Sequence, residues 1–335
     1  PRAAGHTGWE VLHLRALVLL SGGLDSILAA RLLLEQGIDV TAISFESPFF
    51  SSERAQRAAD ALGIDLVSVD ITEDILRLVE APRYGFGKNM NPCIDCHAAM
   101  VRRAAELMEE LGASFVATGE VVGQRPKSQM RYGLAAVERE AGLTGYLLRP
   151  LSAKLLDPTV PEREGWVDRD GLLGLHGRTR KPQMDLAERF GIEEYESPAG
   201  GCLLTDENYA RAVRDLKDHE GLTEHAVRML SLGRQFRLSE RSKLTVGRNH
   251  AENERLFALD APDAVYVKTL GVKGPIGVLV GRPDESDLEL AAAIVSRYAD
   301  TGDEDAVDVQ LQRGGDVRRI QVAPLSPRGV REYAI

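Results

Sequence analysis

The sequence predicts an α/β fold, a doubly wound parallel sheet, followed by a smaller C-terminal α+β domain. Three observations predict it. Short apolar runs alternate with helix-patterned segments through the first third of the chain. A Gly-rich turn, Ser21-Gly-Gly-Leu-Asp-Ser26, joins the first apolar run to the first helix. Beyond about residue 205 the alternation gives way to a helical stretch, then to short strand patterns around one helix.

The elements follow in order. Ala16–Leu20, Val40–Phe45 and Leu66–Val69 are short and apolar enough to be buried strands. Leu24–Gln36 and Ser51–Leu62 are the helices between them, each closed by a glycine, Gly37 or Gly63. Cys93–Leu111 has apolar residues at helical spacing and stops at Gly112; Phe115–Ala117 is a further strand. In such a sheet ligands bind at the carboxyl ends of the strands, where the Gly-rich turn, Phe45 and Thr118-Gly119-Glu120 fall. The stretch 125–201 is less regular, with a helix over Lys181–Phe190. Residues 206–232 read as helical. Ala264–Thr269, Gly277–Val280, Val307–Leu311 and Arg319–Val322 read as strands, with a helix at Asp287–Tyr298. The expected organisation is a tail over 1–13, a nucleotide-type domain over 14–205, and a helical connector with an α+β domain over 206–335.

Composition excludes some classes. With 44% hydrophobic and 27% charged residues the chain has an ordinary globular composition. Val11–Leu20 carries His13 and Arg15 and leads into no cleavage pattern, so neither a signal peptide nor a membrane span is expected, and the cytoplasm is the expected location. A net charge of −10 argues against a generally basic nucleic-acid coat but leaves room for a local basic groove. Its densest basic run is Arg178-Thr-Arg180-Lys181, which could pair with RNA phosphates or be a solvated face. At 5% aromatics, recognition through many stacked bases is not indicated.

The Ser21–Ser26 turn is a phosphate cradle. Its glycines let backbone N–H groups approach an anion, and the helix N-terminus and the two hydroxyls add donors. It lacks the GxxxxGK[ST] pattern of a Walker A loop. The chain's 3 cysteines, without an export signal, read as metal ligands or reactive thiols rather than disulfides. Cys93-Ile-Asp-Cys96 opens a helix, and Cys202 ends the Gly-rich run Pro198-Ala-Gly-Gly-Cys. Cys93–His97 matches the CxxCH of haem attachment, which belongs with export and is set aside. Zinc held with His97, an iron–sulfur cluster on three thiolates, and a persulfide pair with a thiolate activated at the helix N-terminus stay open.

The loop SGGLDS resembles the pyrophosphate (PP) loop of the ATP-pyrophosphatase superfamily, whose fold is adenine nucleotide alpha hydrolase-like. Together with NPCIDC (Asn91–Cys96), Thr118-Gly-Glu-Val-Val-Gly-Gln124 and Ser128-Gln129, it is similar to the catalytic domain of tRNA 4-thiouridine synthases, over about residues 14–205. The related 2-thiouridine synthases share the loop and the paired Cys positions but lack the TGE stretch.

The resemblance implies an ATP-dependent tRNA sulfurtransferase that adenylates a uridine oxygen and replaces it with sulfur, at C4 by preference over C2. It implies ATP and Mg²⁺ at Ser21, Gly22, Gly23, Asp25, Ser26, Phe45, Thr118 and Gly119. It implies sulfur chemistry at Cys93, Cys96 and Cys202, with a [4Fe-4S] cluster favoured because persulfide-dependent relatives often have Asp in place of Cys93. Zinc, or no metal with a cysteine persulfide, is the alternative. The implied partners are tRNA and a sulfur donor, sulfide or a cysteine desulfurase, with a homodimer left open. The N-terminal RNA-binding and rhodanese-like extensions of some members are not seen here. The run Lys243-Leu-Thr-Val-Gly-Arg248-Asn249 with Asn253 resembles the RNA-binding module of NFACT proteins, implying RNA contacts at Arg248 and Asn249; a stabilised turn would look the same. Two other functions fit the loop and the cysteines: sulfur insertion into a small cofactor precursor, and a non-catalytic RNA-binding iron–sulfur protein.

Overall fold

The computed structural model describes residues 14–195, 201–258, 261, 263–302 and 305–335. The expected tail and the Pro198–Gly200 part of the loop before Cys202 lie outside the described residues. The chain divides into two units, one ending at Leu203 and the next beginning at Leu204.

The first unit contains, in order, β1 (Arg15–Leu19), α1 (Leu24–Leu34), β2 (Asp39–Glu46), α2 (Glu53–Leu62), β3 (Leu66–Asp70), α3 (Thr72–Glu80), α4 (Cys93–Leu107), β4 (Phe115–Thr118), α5 (Arg131–Glu140), β5 (Leu147–Leu148), α6 (Val160–Arg163) and α7 (Lys181–Arg189). The strands form one parallel sheet in the order β3-β2-β1-β4-β5. The sheet core is apolar on both faces, as parallel strands require: Ala16, Leu17, Val18, Ala42, Ile43, Phe115, Val116 and Ala117 are fully buried. α1 is buried nearly all round. Ala30 and Leu33 pack with the sheet residues Ala16, Val18 and Phe115. Leu24, Leu28 and Leu32 pack with Val121, Leu151 and Ala187, the last on α7.

Strand order reverses direction at β1, with β2 on one side and β4 on the other. In parallel sheets such a switch point, here the carboxyl ends of β1 and β4, is where a ligand crevice is expected. Three helices depart from the sequence expectation. α3, α5 and α6 lie in stretches without clear helical punctuation; α3 follows β3 directly, its start held by the Asp70 carboxylate accepting from Thr72 N at 2.7 Å.

The second unit contains α8 (Glu207–His219), α9 (Glu224–Leu230), β6 (Arg234–Ser239), β7 (Ser242–Val246), α10 (His250–Phe257), β8 (Val265–Thr269), β9 (Ile276–Gly281), α11 (Glu285–Arg297), β10 (Val307–Arg313), β11 (Asp316–Val322) and α12 (Pro327–Tyr333). Its sheet is antiparallel, in the order β11-β10-β8-β9-β7-β6. One face packs α11 through Phe236, Leu244, Val267, Leu279, Ala291, Val295 and Val309. β6 and most of β7 are additions to the sequence reading. Their Arg, Gln, Ser and Lys residues mask the alternation of Phe236, Leu238, Leu244 and Val246.

Candidate active site

The phosphate loop lies at the carboxyl end of β1 and is held in place by its own side chains. Ser26 Oγ donates to the Gly23 carbonyl at 2.8 Å, and Ser21 N donates to Ser26 Oγ at 3.2 Å. Gly22 has φ +75°, and a Cβ there would lie 2.5 Å from the Arg54 carbonyl oxygen, so only glycine fits. Gly23 is the N-cap of α1, which aims the free donors of the helix end into the loop.

The stretch after β4 closes the other wall of the crevice. Gly119 presses against the first turn of α1: a Cβ there would lie 2.5 Å from the backbone of Asp25 and Ser26. Gln124 Nε2 donates to Asp25 Oδ2 at 2.6 Å, and Gln183 Nε2 donates to Gln124 Oε1 at 3.0 Å. Gln183 is only 1% exposed. Among the described residues, Asp25 Oδ1 and Gln183 Oε1 are buried acceptors with no hydrogen-bond partner. Buried acceptors of this kind are ordinarily met by an ordered water, an ion or a ligand donor. Gln183 sits on α7, directly after Arg178, Arg180 and Lys181, so the basic run starts the helix that supports the phosphate loop. Sequence reasoning missed Gln124's partner and Gln183 altogether.

Glu120, in the same stretch, faces the cysteine helix. Its carboxylate meets His97 Nδ1 at 2.9 Å and accepts from Arg149 Nε at 3.0 Å and Thr118 Oγ1 at 3.1 Å. Arg149 is 4% exposed and also donates to Glu138 and to the Leu134 carbonyl. Burial alone would raise the Glu120 pKa; the Arg149 guanidinium and the His97 hydrogen bond overcome it and bring it to about 2. Glu120 is therefore a fixed anion at neutral pH, and it orients the imidazole next to Cys96.

Cys93 is the first residue of α4 and Cys96 lies one turn on, buried. Asn91 Nδ2 donates to Cys93 Sγ at 3.1 Å. The Asp95 carboxylate between them accepts from Arg83 N and Tyr84 N, which ties the preceding loop to the helix. Cys202 is brought to the same unit by Leu203 N donating to the Phe49 carbonyl at 3.0 Å. Burial, then the neighbouring Cys202 and Cys93 thiols, then Asp95 push the Cys96 thiol well above its ordinary value. Cys96 therefore lies within electrostatic reach of both Cys93 and Cys202.

Among the described residues no three His, Cys, Asp or Glu side chains are close enough to share one metal ion. His97, the expected fourth zinc ligand, has its Nδ1 on Glu120. Three soft thiols suit iron–sulfur ligation. Of the other positions expected at the nucleotide, Phe45 is buried at the end of β2 and Thr118 is the last residue of β4.

In the second unit the Val246–Asn253 turn is internally committed. Arg248 donates to Glu252 through Nε at 2.9 Å and Nη2 at 2.5 Å. Asn249 caps α10 by accepting from Glu252 N, and Asn253 accepts from Ile276 N. A Cβ on Gly247 would lie 2.1 Å from Asn253 Oδ1, so the glycine admits that contact. Among the described residues no helix is long and apolar enough to cross a membrane.

Comparison with known proteins gives two family matches. Residues 13–154 match the thiamine biosynthesis protein (ThiI) family, and residues 233–334 match the NFACT protein RNA binding domain. Among curated proteins, a tRNA-specific 2-thiouridylase MnmA of Carboxydothermus hydrogenoformans is 26% identical over 234 residues, covering 62% of this chain and 60% of the relative. The same enzyme of Geobacter metallireducens is 28% identical over 230 residues, covering 60% and 58%. The chain thus spans about 60% of the length of these relatives. Among solved structures, the U34-tRNA thiolase NcsA from Methanococcus maripaludis with its [4Fe-4S] cluster is 22% identical, covering 67% of this chain and 74% of that one, with a TM-score of 0.35. A likeness that loose carries no argument here.

Proposed function

We propose that this chain, which carries a ThiI-family domain and an NFACT-type RNA binding domain, is an ATP-dependent tRNA sulfurtransferase acting on a uridine. One observation carries the reading. The single stretch 118–124 touches the phosphate loop through Gln124 and Gly119 and the cysteine helix through Glu120. This supports a reading in which an adenylating half-site and a sulfur half-site lie on the two sides of one loop.

In this proposal the backbone of Ser21, Gly22 and Gly23, with the Ser26 hydroxyl, holds the ATP phosphates, and Phe45, Thr118 and Gly119 line the nucleotide. Asp25 Oδ1, buried without a partner, suits the Mg²⁺ that accompanies them. The uridine carbonyl oxygen attacks the α-phosphorus and pyrophosphate leaves, while loop amides offset the developing charge. A sulfur nucleophile then adds to the ring carbon, and the C–O bond breaks to release AMP. Cys93, Cys96 and Cys202 would hold a [4Fe-4S] cluster, which when bound offers an iron open to hydrosulfide. His97, fixed by Glu120, stands beside Cys96 and can pass a proton through its other ring nitrogen. Arg178, Arg180 and Lys181 are the proposed phosphate contacts of the first unit, with Arg248 and Asn249 in the second. Thiolation at C4 is preferred on the resemblance of the Thr118–Gln129 stretch to 4-thiouridine synthases; the pairwise relatives are 2-thiouridylases, so C2 is the competing position. The sulfur donor is sulfide or a desulfurase, the location cytoplasmic.

The test uses protein purified without oxygen. Unmodified tRNA with sulfide should stimulate pyrophosphate release from ATP, and the protein should carry iron and acid-labile sulfide. Pyrophosphate release indifferent to tRNA would overturn the RNA substrate, and a colourless zinc protein would overturn the cluster.

A further inference from the structure

The antiparallel sheet of the second unit has one face packed by α11. Among the described residues the opposite face is only half covered. Met229, Leu232 and Leu256 pack over its β9 side against Val278, with Tyr266 and Ile276 at the edge of that cluster. Over β8, β10 and β11 the register lays out two open rows. Tyr266, Gln312 and Val317 stand side by side, and next to them Lys268, Gln310 and Arg319. Lys268 and Arg319 are exposed, and Val317 is 55% exposed. Phe257, 63% exposed, meets the Tyr266 ring edge-on at 5.5 Å between centroids. Asp308, paired with Gln321, bounds the face at its far end.

The chemistry of this face is specific. An exposed ring, Phe257, stands edge-on against Tyr266; two amides are linked by a Gln310 Nε2 to Gln312 Oε1 hydrogen bond at 3.4 Å, and two cations lie about two strand spacings, roughly 10 Å, apart. An apolar partner would be poorly served by a face with Lys and Arg on both sides of its amides. Unpaired nucleotides combine a stackable π-face, hydrogen-bonding edges and a phosphate, and match all three. Resting on the RNA reading above, we infer that the β8–β10–β11 face binds an unpaired, single-stranded segment of RNA. Phe257, braced by Tyr266, stacks a base, the Gln310–Gln312 pair contacts base edges, and Lys268 and Arg319 contact phosphates.

The test measures binding of unmodified tRNA by the full chain at several salt concentrations. The double variant Lys268→Glu with Arg319→Glu should weaken binding by at least about tenfold and shrink the log–log salt slope by about 2. Phe257→Ser should weaken binding by about tenfold with the slope unchanged, because stacking releases no counterions. ATP binding without RNA should be the same in all three proteins. If the wild type binds tRNA and the variants match it within twofold, the face is wrong and the RNA reading stands. If the wild type binds no RNA, both fall. Variants that keep RNA binding but lose self-association would assign the face to a second copy of the chain.

Discussion

Gln124 donates to the Asp25 carboxylate at 2.6 Å, although 99 residues separate them in the chain. The same glutamine accepts from Gln183 on α7. Two amides thus fix the one acidic side chain of the Ser21–Ser26 loop, and its second oxygen is buried without a hydrogen-bond partner among the described residues. Removing the donor to a buried carboxylate costs roughly 1.5–3 kcal/mol. Gln124→Ala should therefore raise the dissociation constant for a non-hydrolysable ATP analogue by tenfold or more, with a smaller effect for Gln183→Leu. Calorimetric titration reads this directly; affinities equal to wild type would detach the relay from nucleotide binding.

Gly119 is required by contact rather than by conformation. Gly119→Ala would push a methyl into the Asp25–Ser26 backbone, and overpacking of this kind costs about 1–3 kcal/mol. A lower melting temperature together with weaker ATP binding is expected. A variant as stable as wild type with unchanged affinity would show that the loop and β4 do not press together.

Glu120 neutralises Arg149 in the core. Glu120→Gln leaves a buried guanidinium without its main partner, a loss of roughly 3–5 kcal/mol. The pH dependence has a defined sign. The folded pKa of about 2 lies below the ordinary 4.5, so the carboxylate stabilises the fold fully above pH 4.5, and that contribution drains away as pH falls toward 2. Urea unfolding of wild type and variant should differ most near neutrality and converge in acid. A gap that stays constant down to pH 3 would contradict this role.

Lys243 shows the opposite sign. It is 2% exposed on β7, and burial lowers its amine to about 8, with Glu220 and Asp215 offsetting only part. Charging it is disfavoured in the folded state, so the fold carries the full penalty below pH 8 and none above about 10.5. Lys243→Met should stabilise the protein at pH 7 by up to about 3 kcal/mol, with the gain fading between pH 8 and 10.5. A variant less stable than wild type at pH 7 would mean that the amine's partners outweigh its burial.

The legible parts of this molecule were local. SGGLDS announced itself because a tight turn needs glycine and follows an apolar strand. α1 and α2 were readable from their spacing and their closing glycines. The polar strands β6 and β7 were not, because Arg237 and Lys243 occupy positions where alternation would be sought. Side-chain pairings across the chain leave no periodic trace. The TGE stretch could be noticed, but nothing in it names His97, Arg149 or Asp25 as partners, and Gln183 belongs to no pattern at all. The raised Cys96 thiol follows from burial and neighbours that only the fold supplies.

The central claim, one site that adenylates a tRNA uridine and delivers sulfur to it, is tested most directly by mass spectrometry of tRNA nucleosides from cells lacking this protein. The account predicts loss of a thiouridine, 4-thiouridine by preference, restored by the wild-type chain and not by Cys202→Ala. Unchanged 4-thiouridine and 2-thiouridine in the deletion strain would contradict it.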